Sequence, residues 1–141
     1  MASAYRTIAD GIVIAIQSGI ANCKAYAYPP DTVNSFPAAI VLPEPLDTQI
    51  TFKSNTFTAT FRVIFLVASG DVAEGFMQLY DYLDPVEVGK SLIKAIRDDT
   101  DLASSTDDSD IIRIENIGRR ELWGNQYFGF DAILEVIKTL A

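Results

Sequence analysis

The chain contains no histidine and one cysteine, Cys23. Without histidine, neither a Ser-His-Asp triad nor a Cys-His pair can form, and zinc sites with histidine ligands are excluded. A lone cysteine cannot form an internal disulfide or a cysteine-only metal cluster. Catalysis by this chain would therefore have to use carboxylate, lysine, tyrosine or Ser-Lys chemistry.

Positive charge and long apolar runs are also scarce. The 141 residues include 11 Lys and Arg against 19 Asp and Glu, a net charge of -8. Such a balance repels phosphate backbones, so we expect no sequence-independent nucleic-acid binding. The apolar run at residues 12–16 falls far short of the roughly 20 residues that span a bilayer, and no secretory signal pattern precedes it. We expect no membrane association, and synthesis in the cytosol fits best.

Phosphate-binding glycine motifs are absent as well, since neither G-x-G-x-x-G nor G-x-x-x-x-G-K-[ST] occurs. The acidic segment 98–110 begins with the spacing of a calcium loop. However, Ala103 and Ser104 stand where an oxygen ligand and a turn glycine are required. We therefore expect no cofactor and no metal site, and we predict that residues 98–110 form an exposed, mobile loop.

Three helices are predicted from apolar residues spaced three and four apart. The first covers residues 3–20, with Ser3 as N-cap and a C-terminal stop at Gly19 or Asn22. The second starts after Asp71, and the third starts at Asp84 as N-cap with Pro85 next. Their predicted apolar stripes are Tyr5, Ile8, Ile12, Ala15, Ile16 and Ile20; Val72, Phe76, Leu79, Tyr80 and Leu83; and Val88, Leu92, Ile93 and Ile96.

Six strands are predicted from apolar runs and period-two patterns that end at turn residues. They cover residues 24–28, 38–42, 48–53, 56–68, 111–122 and 126–138. Proline-containing turns separate the first two, Ser54 and Asn55 join the third and fourth, and residues 123–125 join the last two. In strand 56–68 one face is apolar throughout, and the other changes from polar to apolar, which predicts that it finishes buried on both sides.

The resulting order is α-β-β-β-β-α-α-β-β. Segregated groups of strands and helices indicate the α+β class, with a mixed, largely antiparallel sheet and helices packed on one face. The length suits one domain over residues 1–141, and 49% hydrophobic residues suffice to fill its core.

Two hairpins are the candidate protein-interaction segments. Aromatic residues cluster at the turn between the last two strands. If Trp and Tyr are exposed at this tip, they favour a contact with another protein. Packing of the aromatic side chains under their own loops is an equal alternative. The charged pair Arg119 and Arg120 could guard a sheet edge or form an interface ion pair. The predicted contact residues are Lys53, Asn55 and Phe57 in the first hairpin and Arg119, Arg120, Trp123 and Tyr127 in the second.

Three short motifs carry a likeness to a known family: Tyr-Pro-Pro-Asp at residues 28–31, Pro-Ala-Ala-Ile at 37–40 and Leu-Asp-Pro at 83–85. Together with the first helix and the hairpin ending in FRVIFLVASGD, they resemble the tail terminator proteins of long-tailed bacteriophages. The likeness is greatest to those of phages that infect actinobacteria. It extends over nearly the whole chain, and its motifs are turn and core signatures.

The resemblance implies a non-enzymatic structural subunit of the virion that forms a homohexameric ring. In that family the ring caps the tail tube, ends its polymerisation and joins the tail to the head. The implied partners are other copies of the chain, the major tail tube protein and a head-completion (connector) protein. The implied location is the neck of the virion, after assembly in the host cytoplasm, with DNA passing through the ring without specific binding.

Two alternatives to a tail terminator stay open. A head-completion or head-to-tail adaptor protein of the neck also forms rings from small mixed domains. A small-molecule-binding α+β enzyme that uses carboxylates is the other alternative, and it would require a defined pocket with converging polar groups.

Overall fold

A computed structural model of the chain describes residues 4–20, 22–30, 36–43, 49–51, 56–67, 72–85, 91–99, 102, 106, 108–122 and 125–139. Within these ranges the elements follow the predicted order. They are α1 (Ala4–Gly19), β1 (Lys24–Tyr26), β2 (Ala38–Pro43), β3 (Gln49–Thr51), β4 (Thr56–Val67), α2 (Val72–Leu83), α3 (Leu92–Arg97), β5 (Asp108–Leu122) and β6 (Asn125–Thr139). None of the helices in the described ranges is long and apolar enough to cross a membrane.

The strands form one sheet in the order β1-β2-β4-β6-β5, and β3 also pairs with β4. β1 is parallel to β2, whereas every other pairing is antiparallel. Because β6 covers one side of β4 along its whole length, β2 and β3 lie end to end on the other side. The predicted α+β class with a mixed, largely antiparallel sheet is confirmed.

The main hydrophobic core lies between one face of the sheet and the three helices, which confirms the expected packing of helices on one face. Alternate residues of β4 and β6 point into it, as their period-two patterns predict. The buried residues of these two strands in the core are Ala59, Phe61, Val63, Phe65, Val67, Phe128, Phe130, Ala132, Leu134 and Val136. Helix α1 contributes all its predicted apolar positions whose side chains are described.

Glycines let the helices approach closely at two places. A Cβ atom added at Gly19 would lie 2.4 Å from the Cβ of Ala95, so the end of α1 packs directly on α3. A Cβ atom at Gly75 would lie 2.6 Å from the ring of Phe128, so α2 sits directly on β6. α1 ends at Gly19, and Asn22 then adopts a φ of 59°, in agreement with the predicted stop.

The predicted start of the third helix is wrong. The backbone N–H of Asp84 donates to the carbonyl of Tyr80, so Asp84 continues the hydrogen bonding of α2. The N-cap of α3 is Ser91, whose hydroxyl accepts a hydrogen bond from the Lys94 N–H at 3.0 Å. The buried residues of α3 are Leu92, Ala95 and Ile96, while Ile93 is half-buried. Residues 86–90, including the predicted core residue Val88, lie outside the described ranges.

The apolar stripe of α2 also differs from the predicted one. Tyr80 was expected in the core, but it is 60% exposed. Leu79 is buried, and the half-buried Tyr82 packs on Phe65 with ring centroids 4.8 Å apart. The helix thus turns the side that contains Gly75, Leu79 and Tyr82 toward the sheet, because Gly75 permits the closest approach there.

The acidic segment is less exposed than predicted. Leu102 is fully buried in the main core and has a φ of 48°, and Thr106 is also buried. Asp108, Ser109 and Asp110 already belong to β5, with Ser109 buried opposite Val136. Leu102 therefore covers this part of the core, although the segment around it is polar. Of the predicted mobile loop, residues 100–101, 103–105 and 107 lie outside the described ranges.

The opposite face of the sheet carries no described helix, and we call it the helix-free face. A second, smaller apolar cluster lies there, formed by Ala38, Ile40, Ile64, Leu66 and Tyr127. The end of β4 is therefore buried on both sides, as its sequence pattern predicts.

Candidate protein-interaction surface

The structure places the two predicted contact hairpins at opposite ends of the sheet. Phe57 pairs with Lys138 at one end of β6, and Arg120 pairs with Tyr127 near the other. At about 3.4 Å per residue, the two positions on β6 are roughly 35 Å apart. The side chains of Phe57 and Arg120, and all of Lys53, Asn55 and Trp123, lie outside what the structure describes. Their roles in contacts stay predictions.

Tyr127 does not have the exposure that was expected at the second hairpin. It is only 7% exposed, and its ring packs on Phe36 with centroids 5.6 Å apart. Phe128 is buried in the main core. The alternative of aromatic packing within the chain therefore holds for both residues. Because Phe36 precedes β2, Tyr127 ties the second hairpin to the proline-rich connection before that strand.

Arg119 is exposed, as expected for a contact residue. Its guanidinium carbon lies 5.6 Å from the centroid of the Phe128 ring, a geometry that gives a cation–π attraction of about 0.5–1 kcal/mol at an exposed position. This contact places the guanidinium of Arg119 over the Phe128 ring, on the helix side of the sheet.

Among the described strands, β5 lies at one end of the sheet order, and sequence reasoning did not single out its middle. Two bulges interrupt its pairing with β6, one between Ile111 and Arg113 and the other between Glu115 and Gly118. Ile112 is 52% exposed and Ile117 is 51% exposed, one at each bulge. Bulges and charged side chains on an edge strand discourage pairing with another strand, and single exposed isoleucines are common on protein surfaces.

A charged network crosses the helix-free face and joins β4, β5 and β6. Arg62 Nη1 donates to Asp131 Oδ2 at 2.7 Å and to Glu115 Oε2 at 3.3 Å. Asn116 Nδ2 donates to the same Asp131 oxygen at 3.0 Å, and Arg113 pairs with Glu115. The network therefore fixes the second bulge, where Asn116 has a φ of 56°. The sequence shows only that charged residues of opposite sign occur within apolar strands. Which of these residues pair is decided by the register between the strands.

One shallow cleft of about 80 Å³ lies beside the start of β5 and is lined by Asp108, Ser109, Asp110, Ile112, Glu135 and Ile137. Within the described part of the chain, no three His, Cys, Asp or Glu side chains are grouped so that they could hold a metal ion.

The thiol of Cys23 is buried in the main core, and burial raises its pKa to about 12. Because the thiolate is the reactive form, we expect native Cys23 to react with a disulfide reagent at pH 8 at least on the order of 100-fold more slowly than in guanidinium chloride. Absorbance of the released thiolate measures both rates. Equal rates in the two conditions would contradict the burial of this side chain.

Comparison of the chain with models of protein families gives no match, and comparison with curated protein sequences gives none either.

Proposed function

We propose that this chain is a structural protein of the bacteriophage tail, a tail terminator that forms a ring on the end of the tail tube. The proposal rests on the likeness of its turn and core motifs to that family, together with a surface suited to contacts between copies. It assigns the protein a role in assembly and no bond-making step.

The observation that carries the proposal is the separation of the two candidate contact hairpins. A ring requires a head-to-tail contact, in which one surface of a subunit binds a different surface of the next. Two hairpins roughly 35 Å apart at opposite ends of a rigid sheet provide two such surfaces. A single contact patch would instead favour a two-fold dimer.

In the proposed mechanism, the end of one subunit that contains Phe57 contacts the end of the next that contains Arg119. Repetition of this contact closes the ring, which we take to be a hexamer as in the resembling family. One ring face then occupies the end of the tail tube and prevents further addition of tube protein. The other face offers a surface to the head-completion protein.

The net charge of -8 suits such a ring. DNA that moves through a channel lined by carboxylates is repelled from the wall, so it can slide without being held. The proposal thus includes passage of DNA without specific binding, and the virion neck as the location.

Trp123→Ala tests the ring contact at the second hairpin. We expect the variant to lose most of its ring assembly, because large aromatic residues dominate the binding energy of protein interfaces, with losses of about 2 kcal/mol or more. Sedimentation velocity of the full chain over a range of concentrations measures the change. Tyr80→Ala, at an exposed aromatic position on α2, is the matched control and should assemble like the wild type. Unchanged assembly of Trp123→Ala would remove this residue from the contact.

Binding to purified virion parts distinguishes a tail terminator from a neck adaptor. We expect the protein to sediment with assembled tail tubes and to stop their elongation when it is added during polymerisation of tube protein. Binding to the portal side of filled heads, with no effect on tube length, would favour a head-to-tail adaptor instead. Binding to neither would overturn the proposal.

A further inference from the structure

We propose that a charged network on the helix-free face keeps strand β5 in a bulged shape with which a further strand cannot pair, so that copies of the chain do not join through this edge. The network consists of Arg62, Glu115, Asn116 and Asp131, and we call it the Asp131 network. This role is independent of the proposed ring, which uses the ends of the sheet.

Strand β5 needs such protection because its composition and its position both favour pairing. It is 15 residues long and lies at one end of the order of the described strands. Four of the seven residues from 111 to 117 are isoleucine, which has a high β propensity. Ile112 and Ile117 are half-exposed, so this part of the edge is open to solvent. An open edge of this length offers unpaired backbone N–H and C=O groups to another chain.

The second bulge interrupts this edge. Between Glu115 and Gly118, two residues of β5 lie opposite a single residue of β6, Phe130. The two residues are Asn116 and Ile117. Such a bulge bends the strand and breaks the regular spacing of its outward backbone groups. A regular incoming strand therefore cannot form a continuous hydrogen-bond ladder across residues 115–118.

The Asp131 network holds the residues on which this bulge depends. Asn116 has a φ of 56°, and its side-chain amide donates to Asp131 Oδ2 at 3.0 Å. Asp131 is buried on β6, and the same oxygen accepts the 2.7 Å hydrogen bond from Arg62 of β4. Arg62 also donates to Glu115, the last paired residue before the bulge, at 3.3 Å. The network thus ties the bulge to the two inner strands beside it.

The residue type at position 116 also favours the bulge over a regular strand. Asparagine adopts a positive φ more readily than most residues, whereas a β-branched residue strongly disfavours it. Without the bulge, residue 116 would pair with Phe130 and point into the main core, where an asparagine amide would lie among apolar side chains. A valine at position 116 would remove both obstacles to a regular edge.

Substitutions of Asn116 in the full chain test this role, and sedimentation velocity over a range of concentrations measures association. In Asn116→Val we expect the association constant for assemblies larger than those of the wild type to rise about tenfold, the cost of a left-handed conformation for a non-glycine residue. Asn116→Gly keeps the positive φ and loses only the hydrogen bond to Asp131, so we expect a smaller rise of about threefold. Asn116→Ala repeats the comparison if the valine variant does not fold.

A second substitution shows whether the edge is the contact. Ile117→Lys in the Asn116→Val background places a charge on the edge strand, so we expect association to return to the wild-type level. Leu79→Ala is the control, because it weakens the core on α2, away from β5, and should not produce the larger assemblies. Circular dichroism checks that each variant is folded.

The possible results separate the parts of this inference. Wild-type association of Asn116→Val, no effect of the added lysine, or equal association of Leu79→Ala would overturn the protection of this edge. Wild-type association of Asn116→Gly would overturn the role of the Asp131 network. A wild type that forms no rings would overturn the proposed function and leave this test intact, because each variant is compared with the wild type.

Discussion

Gly129→Ala is expected to lower the free energy of unfolding by about 3 kcal/mol, a loss at the upper end for overpacking in a core. A Cβ atom at this position would lie 2.2 Å from the carbonyl oxygen of Phe65 and 3.0 Å from the Leu66 side chain. The carbonyl belongs to β4, the strand paired with β6 at this point, so it cannot move without breaking the ladder between them. Urea denaturation followed by tryptophan fluorescence measures the change.

Gly75→Ala is the matched control for this prediction. Its added methyl group also meets atoms at a forbidden distance, but these atoms belong to the Phe128 side chain and not to the backbone of a paired strand. Alanine also favours a helix over glycine by about 1 kcal/mol, which offsets part of the cost. We therefore expect a clearly smaller loss than in Gly129→Ala. An equal loss in the two variants would show that the backbone carbonyl is not the decisive contact.

Arg62→Met is expected to lower the free energy of unfolding by about 3 kcal/mol, because removing one member of a buried ion pair leaves the other charge with less compensation. The side chain of Asp131 is only 2% exposed and accepts the 2.7 Å hydrogen bond from Arg62. Arg62 is itself partly exposed, which places the cost near the lower end of the range for buried pairs. A loss below about 1 kcal/mol would mean that the pair acts like an ordinary surface ion pair.

A double-mutant cycle isolates the interaction between the two side chains. Asp131→Asn keeps the shape of the side chain but removes its charge, and we expect Arg62→Met to cost less in that background. The expected coupling is about 1–3 kcal/mol, as for contacting residues in one network. Lys94→Met is the matched control, since it removes an exposed Lys94–Asp98 pair on α3 and should cost less than about 1 kcal/mol.

Period-two patterns predicted most of the sheet. In β4 and β6, alternation alone identified every buried residue on the core side that the structure describes, because a strand with one face on the core must alternate. The mixed pairing could not be predicted in detail. Nothing in the three residues of β1 indicates that they run parallel to β2, a choice made by the path of the chain between them.

Errors arose where a local signal competed with packing. Asp84 followed by proline is a strong helix start, yet the chain uses Ser91, which places Leu92 and Ile96 into the core. Residue 102 is a single leucine within an acidic segment, and no periodicity can show that it is buried. Both outcomes depend on how elements that are distant in the chain pack together. Neighbouring residues in the sequence carry no information about that packing.

The contact roles of the two hairpins stay predictions, and the exposure of their residues was predicted only in part. The sequence drew attention to the second hairpin, and Arg119 is exposed there, but the burial of Tyr127 depends on Phe36, which is far away in the chain. The edge position of β5 is a property of the strand order, and its exposed Ile112 and Ile117 read as core residues by composition. A surface that depends on the order of the strands in the sheet can be recognised only once that order is known.

The position of β6 between β4 and β5 has a consequence for how the chain acquires its structure during synthesis. β6 follows all the other described strands along the chain, yet it supplies the pairing that joins β5 to the rest of the sheet. While the ribosome is still making β6, the backbone groups of β4 on that side have no neighbouring strand. The emerging polypeptide is therefore expected to complete its sheet only as a late step, and to be most vulnerable to aggregation just before that step.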